Sequence, residues 1–352
     1  MKIAVYTIAL NEIQHVDRWY ESVKNADYLI VADTGSTDGT PEALRAKGVS
    51  VFDIKIKPWR FDDARNVALS LVPQDADICI SMDMDEFMGP NYREELEKSW
   101  LPGTTRLSYV YVHDFDDMDQ PRTSFLADKI HNRFGYRWKR PIHETIFALG
   151  DEQTVSAPSV IMNHKQDAGK KRGQYLHLLA QAVEENPRDS QLAYWLGREQ
   201  SWSGDRESAV ATFKKYLAMP ESGWDDERSE AMKFLADLLP NERLKWLRLS
   251  AAEAPHRRET WYNLAAYYYD HSDWPNLYAA ASEGLKIVTR KNNYLEYPHA
   301  WGAKLPDFCG LACWNLGLKD QSLRMFEQAH NLEPHDERVK NNYLFVKSAF
   351  NQ

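Results

Sequence analysis

Short apolar runs alternate with amphipathic segments through the first 82 residues of this chain. The apolar runs have the length and β-rich composition of strands buried on both faces, and they cover residues 3–8, 28–31, 49–56 and 78–82. Between the first two runs, Ile13, Val16, Tyr20 and Val23 recur at helical spacing. Strand and helix therefore alternate, which predicts an α/β fold with a mostly parallel sheet flanked by helices.

After a predicted helix at 92–99 the pattern changes to strands that suit a mixed sheet. These strands are predicted at residues 106–112, 128–134, 136–138 and 158–163. An acidic segment at 114–119, which contains Asp114 and Asp116, is predicted to be a loop. A further part of a site on this sheet is expected near residues 137–144.

Helical periods replace the strands from about residue 170. Pro187, Pro220 and Pro255 recur at intervals of 33 and 35 residues, close to the 34 residues of the tetratricopeptide repeat (TPR). Trp195-Leu196-Gly197 and Trp314-Asn315-Leu316-Gly317 both resemble its consensus. We predict an α/β domain at residues 1–169 and an all-α helical-repeat domain at 170–352, with Trp195, Trp261 and Trp314 in the repeat core and a loop or insertion at 291–306.

Composition narrows the functional classes. A formal net charge of −9 argues against broad capture of nucleic acid or of an anionic membrane. Cys79, Cys309 and Cys313 are too few for a disulfide framework, and no apolar run approaches the length of a membrane span. We therefore expect no membrane span and a cytoplasmic location.

Polar residues follow the predicted strands at their carboxyl ends, where ligands bind on parallel sheets. Asn11 follows the first strand, Asp33 ends the second, and Asp83, Asp85 and Glu86 follow the fourth. The pattern Asp83-x-Asp85 lets two carboxylates reach one Mg²⁺ or Mn²⁺ ion, which would bridge to nucleotide phosphates. The alternative is a surface acidic turn. There is no G-x-G-x-x-G or G-x-x-x-x-G-K-[ST] phosphate loop, so a side chain such as Arg65 would have to neutralise phosphate.

Four segments, in this order and spacing, resemble the motifs of family 2 glycosyltransferases with the GT-A fold: IALNE, VADTGSTDGT, PWRFDDARNVAL and ISMDMDE. The resemblance covers about residues 1–170. It implies that Asp33 contacts the base or ribose of a sugar nucleotide and that Arg65 contacts the diphosphate. It also implies that Asp83 and Asp85 form the D-x-D pair, with Asp85 as the direct metal ligand, and that His164 is a third ligand. The alternatives are a turn residue at Asp33 and a solvated helix residue at Arg65.

An inverting transfer requires a carboxylate that accepts the proton of the acceptor hydroxyl. Glu144, in an R-x-x-H-E pattern like that of the family's relatives, is the first candidate, and Asp114 or Asp116 is the second. Glu144 could instead form an ion pair with Arg137 or Arg140. The resemblance implies a Mn²⁺- or Mg²⁺-dependent inverting glycosyltransferase whose donor is a nucleotide diphosphate sugar, with a UDP-sugar first in rank.

The acceptor can be a glycan, a protein or another nucleophile, and the repeats can bind a protein partner or a second copy. The basic run Lys170-Lys171-Arg172 lies close enough in sequence to help hold phosphate. Two other hypotheses stay open. One is a non-catalytic repeat scaffold with an inactive nucleotide-sugar-binding domain. The other is a sugar nucleotidyltransferase, although IALNEIQH stands where that class has a glycine-rich loop.

Overall fold

The computed structural model describes residues 1–116, 118–165, 175–291 and 293–350. It divides into two compact units. The first is built on residues up to 182 together with residues 293 and 294, and the second on residues 183–291 and from 295 onward. The domain boundary that the sequence predicts, between residues 169 and 170, lies outside the described residues. So does the basic run at 170–172.

The described residues of the first unit contain ten strands. They are β1 (Ile3–Ala9), β2 (Tyr28–Asp33), β3 (Ser50–Asp53), β4 (Ile78–Ser81), β5 (Glu86–Met88), β6 (Arg106–Phe115), β7 (Pro121–Asn132), β8 (Tyr136–Lys139), β9 (Thr145–Ala148) and β10 (Thr154–His164). Eight form one sheet in the order β3-β2-β1-β4-β7-β6-β10-β5, and β8 and β9 form a separate antiparallel hairpin. Within the large sheet β7 and β5 are antiparallel to the other six strands. The predicted mostly parallel sheet is therefore confirmed.

Four helices flank the sheet: α1 (Val16–Val23), α2 (Thr40–Ala46), α3 (Phe61–Ser70) and α4 (Tyr92–Ser99). Because successive side chains of a strand point to opposite faces of the sheet, β1 contributes to hydrophobic clusters on both faces. Ile3 and Val5 pack in one cluster with Trp19 of α1 and Leu96 of α4. Ala4 and Tyr6 belong to a second cluster that includes α3 and the β8–β9 hairpin. The hairpin is thus part of the layer that covers the sheet.

The acidic segment at 114–119 differs from the prediction. Asp114 lies inside β6, opposite Thr123 of β7, and Asp117 lies outside the described residues. Asp114 and Phe115 pair with β7, while the side chains of Asp114 and Asp116 are partly exposed and that of Asp119 is exposed. Acidity therefore does not end the strand where the sequence pattern suggested.

The second unit is helical in the residues that the structure describes. After α5 (Tyr175–Glu185), which spans the division between the units, its helices are α6 (Ser190–Trp202), α7 (Arg206–Ala218), α8 (Asp225–Leu238), α9 (Arg243–Glu253), α10 (Arg258–Asp270), α11 (Trp274–Lys286), α12 (Lys304–Asn315), α13 (Lys319–Leu332) and α14 (Glu337–Phe350). Consecutive helices pack as pairs, α6 with α7, α8 with α9, α10 with α11 and α12 with α13. This is the arrangement of stacked helix-turn-helix repeats. Of the predicted insertion at 291–306, residues 291 and 293–303 lie between α11 and α12, and residues 304–306 begin α12.

Two glycines show how the repeats correspond. A Cβ on Gly197 would lie 2.9 Å from the Phe213 ring, and a Cβ on Gly310 would lie 3.0 Å from the Phe326 ring. Gly310, and not Gly317, is therefore the counterpart of Gly197, and the sequence alignment through Trp314 was wrong. Gly317 instead has a φ of +75° in the turn after α12, where glycine is favoured for its backbone freedom.

The predicted tryptophan positions are mixed. Trp195 is buried, whereas Trp261 is half-buried at the margin of the helical core and Trp314 is half-buried. Among the helices described, none combines the length and the hydropathy that crossing a membrane requires.

Candidate active site at the carboxyl edge of the sheet

The carboxyl ends of β1, β2, β4 and β10 meet at one edge of the sheet because these strands are parallel. Asn11, Asp33, Asp83, Asp85 and His164 follow or end these strands. The sequence prediction that polar side chains converge at this edge is confirmed. Ligands bind at this edge in open α/β sheets.

Asp33 and Asn11 organise the loop after β2. Asp33, 3% exposed, accepts hydrogen bonds at Oδ1 from the backbone N–H groups of Gly35 (2.9 Å) and Ser36 (2.8 Å), and at Oδ2 from the Ser36 hydroxyl (2.5 Å). Asn11 Oδ1 accepts from the N–H of Thr37 at 2.8 Å. These contacts fit the turn alternative for Asp33, and they fix the shape of the loop.

That loop forms one wall of a cleft of about 600 Å³ at the carboxyl ends of β2 and β3. Its lining includes Asp33, Arg45, Asp53 and Lys55. A cleft of this size holds a small organic ligand. The position predicted for the base and ribose is therefore next to an open cleft, with Asp33 in its wall.

Arg65 of α3 links two acids that are far apart in sequence. Its Nη2 lies 2.8 Å from Asp83 Oδ1 and its Nε lies 2.5 Å from Glu144 Oε1. Its Nη1 donates to the Ser81 hydroxyl at 3.5 Å, and its guanidinium carbon lies 5.0 Å from the Trp138 ring centroid. Burial lowers the pKa of Arg65, but Asp83 and Glu144 together raise it above its ordinary value. Arg65 is thus a buried bridge, neither the solvated residue of the alternative nor a free cation.

Glu144 has its ion pair with Arg65, where the sequence suggested Arg137 or Arg140 as a partner. Its side chain is 11% exposed. It precedes β9 directly, so the β8–β9 hairpin carries it to the sheet edge. Among the three candidate bases, Glu144 is the one that shares a contact residue with the D-x-D pair.

Glu86, the third acid after β4, is hydrogen-bonded to the turn that contains Asp83 and Asp85. Its Oε2 accepts the N–H of Asp83 at 2.8 Å, and its Oε1 accepts the Tyr111 hydroxyl at 2.8 Å. Lys129 Nζ lies 3.0 Å from the same Oε1 and 3.8 Å from Asp83 Oδ2. Burial lowers the pKa of Lys129, but Glu86 and Asp83 raise it overall. Both carboxylate oxygens of Glu86 therefore accept from protein groups, and the residue holds the conformation of the D-x-D turn.

Asp85 and His164 face each other across the site, with Oδ2 and Nε2 3.6 Å apart. With each ligand about 2.0–2.2 Å from one ion, this separation corresponds to a ligand–metal–ligand angle of about 110–130°, so the pair would move slightly closer to bind an octahedral ion. His164 Nδ1 is buried and has no hydrogen-bond partner among the residues described. Oxygen and imidazole ligands both suit Mn²⁺ and related ions, so this pair fits a divalent cation.

The formal charge of the cluster also favours a divalent cation. Four carboxylates and two cations converge here: Asp83, Asp85, Glu86, Glu144, Arg65 and Lys129. The excess is two negative charges, or one when Arg18 is included, whose Nη2 donates to the Asp85 carbonyl at 3.3 Å. Buried charges need compensation, and one divalent cation would supply it.

Asp114 and Asp116 are engaged at the β6–β7 hairpin. Asp114 Oδ2 is ion-paired with Arg122, whose Nε donates to it at 2.9 Å. Burial raises the pKa of Asp114, but Arg122 holds it below its ordinary value. Asp116 Oδ1 accepts the N–H groups of Met118 and Gln120, each at 2.9 Å. The Asp114 contact joins β6 to β7, and the Asp116 contacts lie just beyond the end of β6.

A buried hydrogen-bond chain supports the ring against which Arg65 packs. Trp138 Nε1 donates to the Tyr6 hydroxyl at 2.8 Å, and the hydroxyl oxygen lies 2.9 Å from His131 Nε2. His131 Nδ1 lies 2.7 Å from the Asn132 carbonyl, so Nδ1 donates there and Tyr6 donates to Nε2. Burial lowers the pKa of His131 to about 3. The chain is therefore neutral and directional, and it fixes Trp138.

Sequence reasoning missed Lys129, Tyr111 and Trp138. Lys129 and Tyr111 lie on β7 and β6, where an alternating strand gives no sign that a polar side chain turns toward β4. Trp138 had one signal, its place in the aromatic and basic segment before Glu144. A further acidic cluster, Asp225 and Asp226 with His256, lies in the helical unit. Lys291 Nζ is 3.5 Å from Asp226 Oδ1, so protein already compensates part of its charge.

Comparison with known proteins assigns the first unit to a family. Residues 4–154 match the family model described as glycosyl transferase family 2. This range contains the whole cluster apart from His164, which follows it. The first unit therefore contains a glycosyl transferase family 2 domain.

A curated relative extends over both units. A TPR repeat-containing protein of Synechococcus elongatus is 26% identical over 312 residues, which are 81% of this chain and 75% of the relative. Its name agrees with the stacked helix pairs of the second unit. The C-terminal region is thus a TPR-like repeat region.

Solved structures also resemble the helical part. One is a thermophilic TPR protein of Thermus thermophilus, at 18% identity and a TM-score of 0.31, covering 49% of this chain and 91% of that chain. Another is YrrB, described as a TPR protein with an unusual peptide-binding site, at 14% identity and a TM-score of 0.35, covering 50% and 83%. These scores are low, and the helix pairs are described above from their own contacts.

Proposed function

On the premise that residues 4–154 form a glycosyl transferase family 2 domain, we propose that this chain transfers a sugar from a nucleotide diphosphate sugar to an acceptor nucleophile. The observation that carries the proposal is the Arg65 bridge between Asp83 and Glu144. One guanidinium joins the D-x-D turn on the donor side to the candidate base on the acceptor side. A transfer reaction needs these two sides close together.

The nucleotide would occupy the cleft beside the Asp33 loop, and a UDP-sugar is the first donor to test. The diphosphate would lie toward Asp83 and Asp85. Because the donors of Arg65 already reach Glu144, Asp83 and Ser81, Arg65 would act on the diphosphate mainly through its charge.

Asp85 and His164 would hold a divalent cation, Mn²⁺ or Mg²⁺, with Asp83 beside them. The 3.6 Å between Asp85 Oδ2 and His164 Nε2 and the negative charge of the cluster support this assignment. A bound divalent cation would offset the charge that develops on the leaving diphosphate.

Glu144 would accept the proton of the acceptor hydroxyl or similar group at Oε2, the oxygen not hydrogen-bonded to Arg65 Nε. The nucleophile would attack the anomeric carbon as the bond to the diphosphate breaks, with inversion. Arg65 would hold the carboxylate in place during this step. Asp114 and Asp116 stand as second candidates.

The test combines binding with turnover. Purified protein would be melted with a panel of sugar nucleotides without metal, with Mn²⁺ and with Mg²⁺, because a ligand that binds the native state raises Tm. A donor that raises Tm in a Mn²⁺-dependent way would then be incubated with glycan, peptide and small hydroxyl acceptors, and transfer followed by mass spectrometry. Asp85→Asn serves as the variant that should lose the Mn²⁺ dependence.

If no sugar nucleotide changed Tm with either metal, the transferase proposal would be refuted in favour of a repeat scaffold. Release of pyrophosphate from a nucleoside triphosphate and a sugar phosphate would favour a nucleotidyltransferase. We propose further that the helical unit binds a protein, either an acceptor or a second copy, because stacked repeats present extended surfaces. Binding of an identified acceptor to the full chain, with its contacts mapped to residues 183–352, would support this.

A further inference from the structure

Three residues of α3 make polar contacts with the hairpin that carries Glu144, in addition to the apolar cluster that the two elements share. Phe61 donates its N–H to the Pro141 carbonyl at 3.0 Å. Arg65 binds Glu144, as described above. Asn66, which lies in the segment PWRFDDARNVAL but carries no charge, makes the third polar contact.

Asn66 holds both backbone groups of Trp138. Its Nδ2 donates to the Trp138 carbonyl and its Oδ1 accepts the Trp138 N–H, each at 2.9 Å. A carboxamide can donate and accept side by side, whereas a carboxylate accepts and an alanine does neither. Asn66 therefore pairs with β8 as a neighbouring strand would.

This pairing fixes the place of Glu144 through the hairpin register. Trp138 lies opposite Ile146 and Lys139 lies opposite Thr145, and Glu144 is the residue before Thr145. The connecting loop includes Arg140 and His143 at φ values of +81° and +48°. Such conformations persist where the surroundings hold them, so the loop depends on the docking of its two ends.

We propose that Asn66 is a positioning residue for sugar transfer, which sets the register of the β8–β9 hairpin on α3 and so holds Glu144 against Arg65. The inference rests on the proposed function, in which Glu144 is the base. Asn66 does not touch substrate. It acts through Trp138 and the hairpin, and a base displaced by about 1 Å can cost about 10²-fold in rate.

The test compares Asn66→Ala with Glu144→Gln and with the double variant, using the full chain. We expect Asn66→Ala to lower turnover at saturating donor and acceptor by about 10- to 100-fold while the Kd for the donor changes less than about twofold, since the donor cleft lies on β2 and β3. In the Glu144→Gln background the same change should have almost no further effect, because non-additivity marks residues that act as a unit. Multiplicative losses would overturn the proposal.

A measurement without turnover separates this inference from the proposed function. Hydrogen exchange of the amides from Trp138 to Ile146 should become faster in Asn66→Ala, and unchanged exchange would overturn the positioning role. Asn25→Ala, which alters an exposed asparagine after α1, is the matched control and should leave both readouts unchanged. An inactive wild type whose Asn66→Ala variant still showed faster exchange would refute the proposed function and leave the docking role intact.

Discussion

Replacing Arg65 with methionine tests whether charge holds the two sides of the site together. Methionine keeps an unbranched apolar stem against Trp138 but removes the guanidinium. Removing one partner of a buried ion pair costs about 3–5 kcal/mol, because the other charge is left uncompensated. The Asp83 side chain is 32% exposed, so water screens part of this cost. We therefore expect a loss near the lower limit, about 3 kcal/mol.

The loss should depend on pH in a defined direction. Burial alone raises the pKa of Asp83, but Arg65 and then Lys129 hold it below its ordinary value. A carboxyl group with a depressed folded-state pKa contributes stability above its unfolded pKa of about 3.9, and that stability is lost as pH falls through the folded pKa. The penalty of Arg65→Met should therefore be greatest near neutral pH and smaller at acid pH, where protonated Asp83 no longer needs the cation.

Thermal melts would measure this difference. For a domain of about 150–250 residues, 1 kcal/mol corresponds to about 2–4 °C in Tm, so about 3 kcal/mol predicts a decrease of about 6–12 °C near pH 7. The decrease relative to wild type should shrink as pH is lowered below about 4. Arg137→Met, which removes an exposed arginine from the same hairpin, is the control. A decrease equal to that of the control, or independent of pH, would refute the reasoning.

Three more predictions concern the metal, the base and the repeats. Asp85→Asn should abolish the rise in Tm caused by Mn²⁺, because the amide lacks the charge that helps hold the cation; a wild-type rise would exclude Asp85 as a ligand. Glu144→Gln should lower the transfer rate by about 10² to 10⁴ with donor binding measured by calorimetry nearly unchanged; full turnover in a stable variant would move the role to Asp114 or Asp116. Ending the chain at residue 305 should reduce solubility, since it removes Phe308, Cys309, Ala312 and Cys313 from the core with α10 and α11, and a soluble fragment with one cooperative melt would contradict stacked repeats.

The fold could be predicted where the hydrophobic pattern alone determines the secondary structure. Continuous apolar runs that alternate with helical periods leave few arrangements besides a parallel sheet, and Asn11, Asp33 and Asp83 then fall at one edge. The repeat alignment failed at Trp314 because a tryptophan and a glycine also occur at the end of α12. The informative signal was packing between helices, in which Gly310 faces Phe326.

The site could be predicted as a set of acids but not as a network. Carboxylates after a buried strand indicate charge compensation, yet which cation compensates them depends on contacts across 79 residues, as between Arg65 and Glu144. Lys129 is a residue of an ordinary alternating strand, and its role follows from the antiparallel insertion of β7 between β4 and β6. Asn66 likewise becomes informative once β8 lies beside α3.

The two edges of the large sheet have a consequence for association. The edge strands β3 and β5 have four and three residues. An edge strand offers unpaired backbone groups to which another chain can add a strand, and strands this short offer very few. The sheet is therefore poorly suited to extension by a second molecule, which protects the first unit against edge-to-edge aggregation.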